Sequence, residues 1–161
     1  MVWSFKSFDK LKVQELYDLL KLRSDVFVVE QNCIYSDQDD KDQGAIHVLG
    51  YKRNRLLAYA RILPIGTVEN KYAMIGRIVI RQTIRGTGVG KELVRKSIDY
   101  CQDTFNELNI KISAQSHLKN FYQQQGFTKK GDDYLEDGIP HCAMILSANA
   151  CSFQPIEQNL K

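Results

Sequence analysis

The chain has 161 residues and a formal net charge of +3; 43% of its residues are hydrophobic and 25% are charged. These values are typical of an ordinary globular protein with one domain, large enough to bury a core. Lysine and arginine are scattered rather than clustered, which argues against a nucleic-acid partner. No apolar run approaches the roughly 18 residues that span a bilayer, so we expect no membrane partner.

The cysteines, the histidines and the first residues argue against a metalloprotein and against a secreted protein. The four cysteines and three histidines show no metal-ligand spacing, so we expect no metal site. The first residues do not resemble a signal peptide. We therefore expect reduced thiols in a cytoplasmic protein. Nothing in the sequence indicates the oligomeric state.

Hydrophobic periodicity predicts seven strands and three helices. Strands are predicted over 3–8, 46–51, 56–63, 72–80, 110–114, 128–134 and 142–146. A first helix, capped by Asp9, is predicted to bury Val13, Leu16, Tyr17 and Leu20; further helices are predicted over 90–104 and 118–125. This order predicts an α/β fold, a mixed twisted sheet with helices on both faces. One domain over 1–150 and a tail over 151–161 are expected.

An acidic segment over 36–42 separates the first helix from the second strand. It fails the pattern of a calcium-binding EF-hand loop, because Lys41 stands at a ligand position and no glycine follows. We expect a solvated loop. The alternative is that its carboxylates attract a cationic amine.

The strongest functional signal is the run Arg85-Gly86-Thr87-Gly88-Val89-Gly90-Lys91, between a predicted strand and a predicted helix. Glycines permit close approach and unusual dihedral angles. Free N–H groups and the positive end of the helix dipole then form an anion site. The pattern predicts that a phosphate binds here.

The spacing of this run excludes two common phosphate sites. A Walker A loop requires glycine where Arg85 stands and serine or threonine where Glu92 stands. A dinucleotide fingerprint requires GxGxxG and an acidic residue about 20 positions later, where this chain has Ile110. Neither requirement is met.

The run instead fits R-x-x-G-x-G, through Arg85, Gly88 and Gly90. A second motif, Tyr122-x-x-x-Gly126-Phe127, follows at the expected distance. Together they resemble the acyl-CoA and helix-to-strand motifs of the GNAT superfamily of N-acetyltransferases. Further segments resemble its ElaA-like branch, so that the similarity covers roughly residues 3 to 147: 22–31, His47, 59–61, 76–77 and 136–141.

The resemblance implies a single-domain GNAT fold and acetyl-CoA as co-substrate. The residues implied in binding it are Ile78, Val79 and Ile80 through backbone groups, Arg85, Gly86, Thr87, Gly88, Val89, Gly90 and Lys91 around the pyrophosphate, and Asn120. The chain departs from the superfamily at Gln115, where asparagine is common, and at Leu118, where alanine is usual. These departures concern individual CoA contacts near 115–118.

The reaction implied is direct attack of a primary amine, on a small molecule or a peptide, on the CoA thioester. A backbone N–H near Ile80 is the expected oxyanion donor and Tyr122 the expected general acid. Glu30 is the first candidate for the general base, because the apolar run before it favours burial and a raised pKa. His47, Glu136, His141 and a water chain stay open as alternatives. The residues expected to bind the acceptor are Arg23, His47, Glu136 and His141.

A different class of function has the same motifs. A non-catalytic acyl-CoA sensor or scaffold would keep the fold and the glycine run without turnover. The presence of Tyr122 favours the enzyme.

Overall fold

The computed structural model describes residues 1–106 and 109–147. The strands are β1 (Val2–Ser7), β2 (Ile46–Lys52), β3 (Arg55–Leu63), β4 (Ala73–Ile80), β5 (Ile110–Gln115), β6 (Thr128–Glu136) and β7 (Ile139–Leu146). The helices are α1 (Val13–Arg23), α2 (Val89–Phe105) and α3 (Lys119–Gln123), and a π-helical segment covers Ser24–Glu30. The predicted tail, 151–161, lies outside the described residues.

The strands form one mixed sheet in the order β1-β2-β3-β4-β5-β7-β6. Neighbouring strands are antiparallel except β4 and β5, which are parallel. A parallel pair needs a crossover connection, and α2 supplies it. The predicted fold class is confirmed.

Each face of the sheet is covered by a separate helical layer. On one face α1 buries Leu19 and Leu22 with Tyr59 and Val79 from the sheet. On the other face α2 packs its predicted apolar stripe against the sheet, beside α3. The buried residues of that stripe are Leu93, Val94, Ile98 and Cys101.

The predicted buried face of the first helix is only partly right: Leu16 and Leu20 are partly buried and pack against the core, but Val13 and Tyr17 do not. Val13 is 87% exposed and Tyr17 is 60% exposed, whereas Leu19, Leu22 and Arg23 are buried. The helix begins at Val13 and passes directly into the π-helical segment, where Val26 continues the buried stripe. Because the helix starts at Val13 rather than just after Asp9, and continues to Glu30, its buried residues lie further along the chain than predicted.

The closing hairpin is longer than predicted. The sequence suggests a loop over 135–141, but β6 and β7 extend into it and are joined by Asp137 and Gly138 alone. Both residues have positive φ, 51° and 77°. A two-residue Asp-Gly turn of this kind matches the twist of a hairpin, and it is a sequence signal that this prediction missed.

Candidate active site

A cleft opens between the two parallel strands. β4 pairs with β5 only at Ala73↔Ile110 and Met74↔Lys111. Beyond Met74 the strands diverge, so the rest of β4 presents an edge that β5 does not cover. This edge includes Ile78 and Ile80, which the sequence predicts to bind a ligand through their backbone.

A β-bulge at Arg77 sets the orientation of that edge. Arg61 pairs with Gly76 and Tyr59 pairs with Val79, so one extra residue of β4 stands opposite Ala60. The extra residue reverses the alternation of side chains. Ile75 packs with α2, whereas Val79 faces α1.

The backbone of Ile80 points into the cleft. The N–H of Arg81 donates to the Leu57 carbonyl of β3. Because backbone groups alternate along a strand, the N–H and C=O of Ile80 point to the opposite side, toward the uncovered edge. Consistently, the Ile80 carbonyl accepts a hydrogen bond from Arg85 Nε at 3.1 Å rather than from a strand.

The glycine loop lies where β4 leads into α2. Gly86 and Gly88 have φ of 76° and 87°, and a Cβ at either position would meet no atom within 4 Å. The hydrogen-bond ladder of α2 starts with the N–H of Glu92, which donates to the Gly88 carbonyl. The backbone N–H groups that precede Glu92 therefore lie outside this ladder. Open space above unpaired amides fits an anion such as a pyrophosphate.

Tyr122 lies on α3 and is 6% exposed. Its ring makes edge contacts with Phe121 and Phe127, which fix its orientation. Burial raises the pKa of Tyr122 to about 12, so the phenol keeps its proton at neutral pH. Within residues 1–106 and 109–147, no side chain or backbone group hydrogen-bonds the Tyr122 hydroxyl.

The burial predicted for Glu30 is absent. Its side chain is 34% exposed and pairs with Arg85, at 2.5 Å from Oε1 to Nη1 and 3.0 Å from Oε2 to Nη2. Valine side chains precede it, but Val29 is 72% exposed and gives Glu30 no apolar surroundings. The physical basis for predicting Glu30 as the base is therefore wrong.

The acidic segment is not a solvated loop, and that prediction is corrected. Asp37 and Asp42 are 3% and 7% exposed. Arg23 binds Asp37 at 2.7 Å and Asp42 at 2.8 Å. Arginines bind Asp37, Asp39 and Asp42, so these three carboxylates are not expected to attract a cationic amine.

Two more arginines complete this cluster, which we call the Arg–Asp network. Its members are Arg23, Arg61, Arg77, Asp37, Asp39 and Asp42. Arg61 binds Asp39 through two hydrogen bonds, at 2.6 and 2.7 Å, and also binds Asp42 at 2.9 Å. Arg77 binds Asp37 at 2.8 Å. Three positive and three negative side chains thus join three secondary-structure elements to one loop.

The arginines also determine the charge state of their partners. Burial works to raise the pKa of Asp39, but hydrogen bonds and charge from Arg61, with further charge from Arg77, outweigh it and hold that pKa well below its usual range. Burial also works to raise the pKa of Asp42, but the charge of Arg23 and hydrogen bonds from Arg61 and Arg23 outweigh it and lower that pKa. Both carboxylates stay ionised at neutral pH.

Two predicted acceptor-binding residues are structural instead. Arg23 is fully buried and its guanidinium is occupied by the Arg–Asp network. His47 is also fully buried; its Nε2 donates to the Asp42 carbonyl at 3.0 Å and its Nδ1 accepts from the Tyr59 hydroxyl at 2.9 Å. Burial lowers the pKa of His47. Neither side chain can reach a substrate.

Glu136 and His141, by contrast, are accessible and lie close together at the end of the sheet. Glu136 accepts a hydrogen bond from the Ser113 hydroxyl at 2.7 Å. The rings of His141 and Tyr134 stack at 6.2 Å between centroids. His141 Nδ1 donates to the Ile139 carbonyl at 2.8 Å, which leaves Nε2 as the lone-pair nitrogen of a neutral ring.

Residues 30 and 31 connect the two sides of the cleft. Glu30 pairs with Arg85 beside the end of β4, and Gln31 Oε1 accepts a hydrogen bond from Gln115 Nε2, at the end of β5, at 3.1 Å. Gln115 is in turn the register partner of His141. A chain of contacts therefore links the glycine loop, the cleft and the Glu136–His141 cluster.

The sequence did not point to Asp37, Asp39, Arg61 or Arg77 as partners. Their one shared signal is excess charge: a run of carboxylates in the loop and arginines in otherwise apolar strands. An arginine within a buried strand requires a carboxylate partner. That rule predicts pairing, but it does not say which residues pair.

Comparison with known proteins agrees with this geometry. A family model described as an acetyltransferase (GNAT) domain matches residues 27–148. The fold and the cleft define an acyl-CoA N-acyltransferase enzyme of the GNAT type. This chain belongs to the GNAT acetyltransferase family.

Within that family the chain is similar to ElaA. It is 42% identical to Protein ElaA of Escherichia coli over 144 residues, which cover 88% of this chain and 94% of that protein. The crystal structure of E. coli ElaA superposes with a TM-score of 0.85 and covers 91% of this chain and all of that one, at 40% identity. An acyl-CoA N-acyltransferase from Pseudomonas aeruginosa superposes with a TM-score of 0.86 over the same shares, at 34% identity. Among the described residues, no helix is long and apolar enough to cross a membrane.

Proposed function

We propose that this chain transfers an acetyl group from acetyl-CoA to a primary amine by direct attack of the amine. The observation that carries the proposal is the uncovered edge of β4 beside the open glycine loop. A strand edge offers hydrogen bonds to an extended amide chain, and a glycine loop at a helix start offers them to a pyrophosphate. The two together fit the shape of acetyl-CoA.

Binding of the co-substrate is divided between backbone and charge. Ile78 and Ile80 would hold the pantetheine arm along the strand edge, and the amides of 86–91 would hold the pyrophosphate. Arg85 and Lys91 would add positive charge. Asn120 is exposed on α3, whose Phe121 lies against Gly90 of the glycine loop. Acetyl-CoA supplies an acyl group that is already activated as a thioester.

The N–H of Ile80 is the proposed donor to the acyl oxygen. It points to the uncovered side of β4, as the hydrogen bond of the neighbouring Arg81 N–H to β3 requires. A backbone N–H is fixed before the reaction starts, so it stabilises developing negative charge without reorganisation.

Tyr122 is the proposed general acid. Its raised pKa of about 12 keeps the proton on the phenol until a departing thiolate takes it. Its hydroxyl is not required for packing, since the recorded contacts of Tyr122 are made by the ring. We therefore assign the hydroxyl to chemistry rather than to stability.

The acceptor amine is proposed to bind beside Glu136 and His141. The exposed Glu136 carboxylate suits an ammonium group, and the neutral His141 ring offers Nε2 as a proton acceptor. Once the amine has lost its proton, its lone pair can attack. A water chain could carry the same proton, so the base is assigned to His141 Nε2 or to a water beside it.

A thiol-release assay with acetyl-CoA and a panel of primary amines tests this proposal. Tyr122→Phe should lower kcat by about 10²- to 10⁴-fold and leave thermal stability unchanged. Tyr100→Phe is the matched control, because its ring also packs against other aromatic rings but lies on α2; its kcat should stay at the wild-type value. Equal kcat for Tyr122→Phe and wild type would refute the assignment of the acid.

Thermal unfolding with CoA separates binding from chemistry. A ligand that binds only the folded protein must raise its stability. Stabilisation by CoA without release of thiol from acetyl-CoA with any amine would favour a non-catalytic acyl-CoA-binding module. Absence of stabilisation at millimolar CoA would contradict the proposed site itself.

A further inference from the structure

The loop over 31–42 is attached to β4, to the end of β5 and to the β6–β7 turn. Asp37 is bound by Arg77 in the bulge of β4, Gln31 accepts from Gln115 at the end of β5, and Cys33 Sγ donates to the Asp137 carbonyl in the β6–β7 turn. The last contact is 3.4 Å long. A single loop therefore contacts both sides of the cleft and the turn beyond it.

Ionic groups hold this loop, although apolar groups would do so at lower cost. Arg23, Arg61 and Arg77 have side-chain exposures of 0%, 4% and 20%. Replacing buried ion pairs by apolar residues is often neutral or stabilising, so stability alone does not explain them. The Arg61 Nε is even left buried without a hydrogen-bond partner. What a network of directional bonds adds is a defined position for the loop.

Arg77 differs from the other two arginines because it belongs to the strand that lines the cleft. It is the extra residue of the β4 bulge, with a φ of 50°, a left-handed conformation that non-glycine residues rarely adopt. Its guanidinium bonds both the Asp37 carboxylate, at 2.8 Å, and the Asp37 carbonyl, at 3.1 Å. The next residues along the chain are those proposed to bind the pantetheine arm.

We propose that Arg77 is a positioning residue that sets the distance between the acyl-binding edge of β4 and the 31–42 loop, which bonds the β6–β7 turn beside the proposed acceptor site at Glu136 and His141. It acts through Asp37 and touches neither substrate. The inference rests on the proposed function, because it assigns a role in amine binding. The proposed chemistry by itself requires neither Arg77 nor a link between the two sides of the cleft.

Kinetics of Arg77→Gln and Arg77→Lys test the role. If Arg77 no longer holds the 31–42 loop in place, the amine should bind less well. KM for the amine should therefore rise between about tenfold and a hundredfold in Arg77→Gln. KM for acetyl-CoA should stay within about twofold of the wild-type value. Arg77→Lys keeps the charge but cannot bond the Asp37 carboxylate and carbonyl in the same way. Its KM for the amine should therefore lie between those of Arg77→Gln and the wild type. Arg95→Gln is the control, since Arg95 pairs with Asp99 on the exposed face of α2, away from the 31–42 loop in sequence and in the contacts of the described residues.

Cys33 provides a measurement of the loop that does not depend on turnover. Cys101 and Cys142 are fully buried, so alkylation followed by peptide-resolved mass spectrometry, in a Cys151→Ser background, reports on Cys33. Arg77→Gln should raise the alkylation rate at least several-fold, and Asp37→Asn should raise it at least as much, because Asp37 binds Arg23 as well as Arg77. Arg95→Gln should leave the rate unchanged.

The outcomes separate this inference from the proposed function. A raised amine KM with unchanged acetyl-CoA KM and faster Cys33 alkylation supports it. Equal changes in both KM values, or unchanged amine KM despite faster alkylation, would overturn the positioning role while leaving acetyl transfer intact. Wild-type protein that releases no thiol with any amine would overturn both, and unchanged alkylation in Arg77→Gln would show that the contact does not hold the loop.

Discussion

The two sides of the cleft are built from different parts of the chain. The proposed acyl-donor side is a backbone site: a strand edge and the amides of a short loop, arranged by Gly86, Gly88 and a bulge. The proposed acceptor side is fixed by side chains, through the Arg–Asp network and the contacts of the 31–42 loop. Backbone groups are the same in every residue, whereas a salt-bridge network requires particular partners from distant positions. Except at its glycines, the donor side should therefore tolerate changes of side chain, and the acceptor side should not.

The largest effect is expected on the free energy of unfolding, when a member of the Arg–Asp network is removed. Arg23→Met removes the shared partner of two buried carboxylates, and loss of one member of a buried ion pair costs about 3–5 kcal/mol of unfolding free energy. Urea unfolding would measure it. Arg95→Met, in an exposed pair, should change the free energy by less than about 0.5 kcal/mol. A stable Arg23→Met variant that fails only in amine binding would show that Arg23 serves the substrate after all.

On the donor side, Gly88→Ala should act on ligand binding more than on the fold. An L residue in this left-handed conformation costs about 1–2 kcal/mol, and its Cβ would enter the open space over the loop. CoA at a hundredfold excess over its Kd should stabilise the wild type by about 2.7 kcal/mol, and the variant should lose that gain in thermal unfolding.

A matched glycine isolates backbone strain from binding. Gly131 on β6 also has a positive φ, 75°, and open space around its Cβ position. Gly131→Ala should show a similar intrinsic loss of stability and keep the full stabilisation by CoA. Equal loss of CoA stabilisation in both variants would contradict the assignment of the glycine loop.

The acceptor side should also be the more sensitive to acid. The pKa of His47 is lowered by burial, so stability begins to fall as the pH drops below the ordinary histidine pKa of about 6.5. The pKa values of Asp39 and Asp42 are lowered by their arginines despite burial, so their contribution is complete above about pH 5 and is lost as the pH falls further.

Unfolding free energies measured between pH 7 and pH 3 would resolve the two ranges. Asp39→Asn should reduce the loss in the lower range and leave the loss near pH 6 unchanged. A flat dependence below pH 5 in the wild type would mean that the network adds no stability through its charges.

The smallest effect is expected at Glu30. Its pair with Arg85 is exposed, and such pairs contribute about 0–1 kcal/mol. Glu30→Gln frees Arg85 for the pyrophosphate, so the Kd for CoA should fall a few-fold, less so at high salt. Because an exposed, paired carboxylate is a poor base, kcat should change by less than about tenfold. A loss of kcat beyond a hundredfold would restore Glu30 as the base.

Local patterns predicted most of the fold. The apolar stripe of α2 and the glycine run before it are read correctly because their signals lie within one segment, with the helical period of 3.6 residues. The stripe of α1 is misread because a π-helical continuation, which periodicity does not reveal, determines which residues face the sheet. Asp137-Gly138 shows the opposite case: a local signal was present and was not used.

The candidate site divides in the same way. Gly86, Gly88 and Tyr122 could be predicted, since each belongs to a motif with a fixed spacing. Arg23 and His47 could not be distinguished from Glu136 and His141, because burial separates the two pairs and burial is a property of the folded chain.

By itself, the sequence determined the fold class and the place of a glycine loop between β4 and α2, through hydrophobic periods and the spacing of glycines. The tertiary structure alone decided that the acidic segment is a buried anchor rather than a solvated loop, and that the strand edge of Ile80 is open. The reason is physical: hydrophobic periodicity and glycine conformation act between near neighbours in the chain. Ion pairing among Arg23, Arg77 and Asp37 depends on distances and burial that exist only once the sheet has formed.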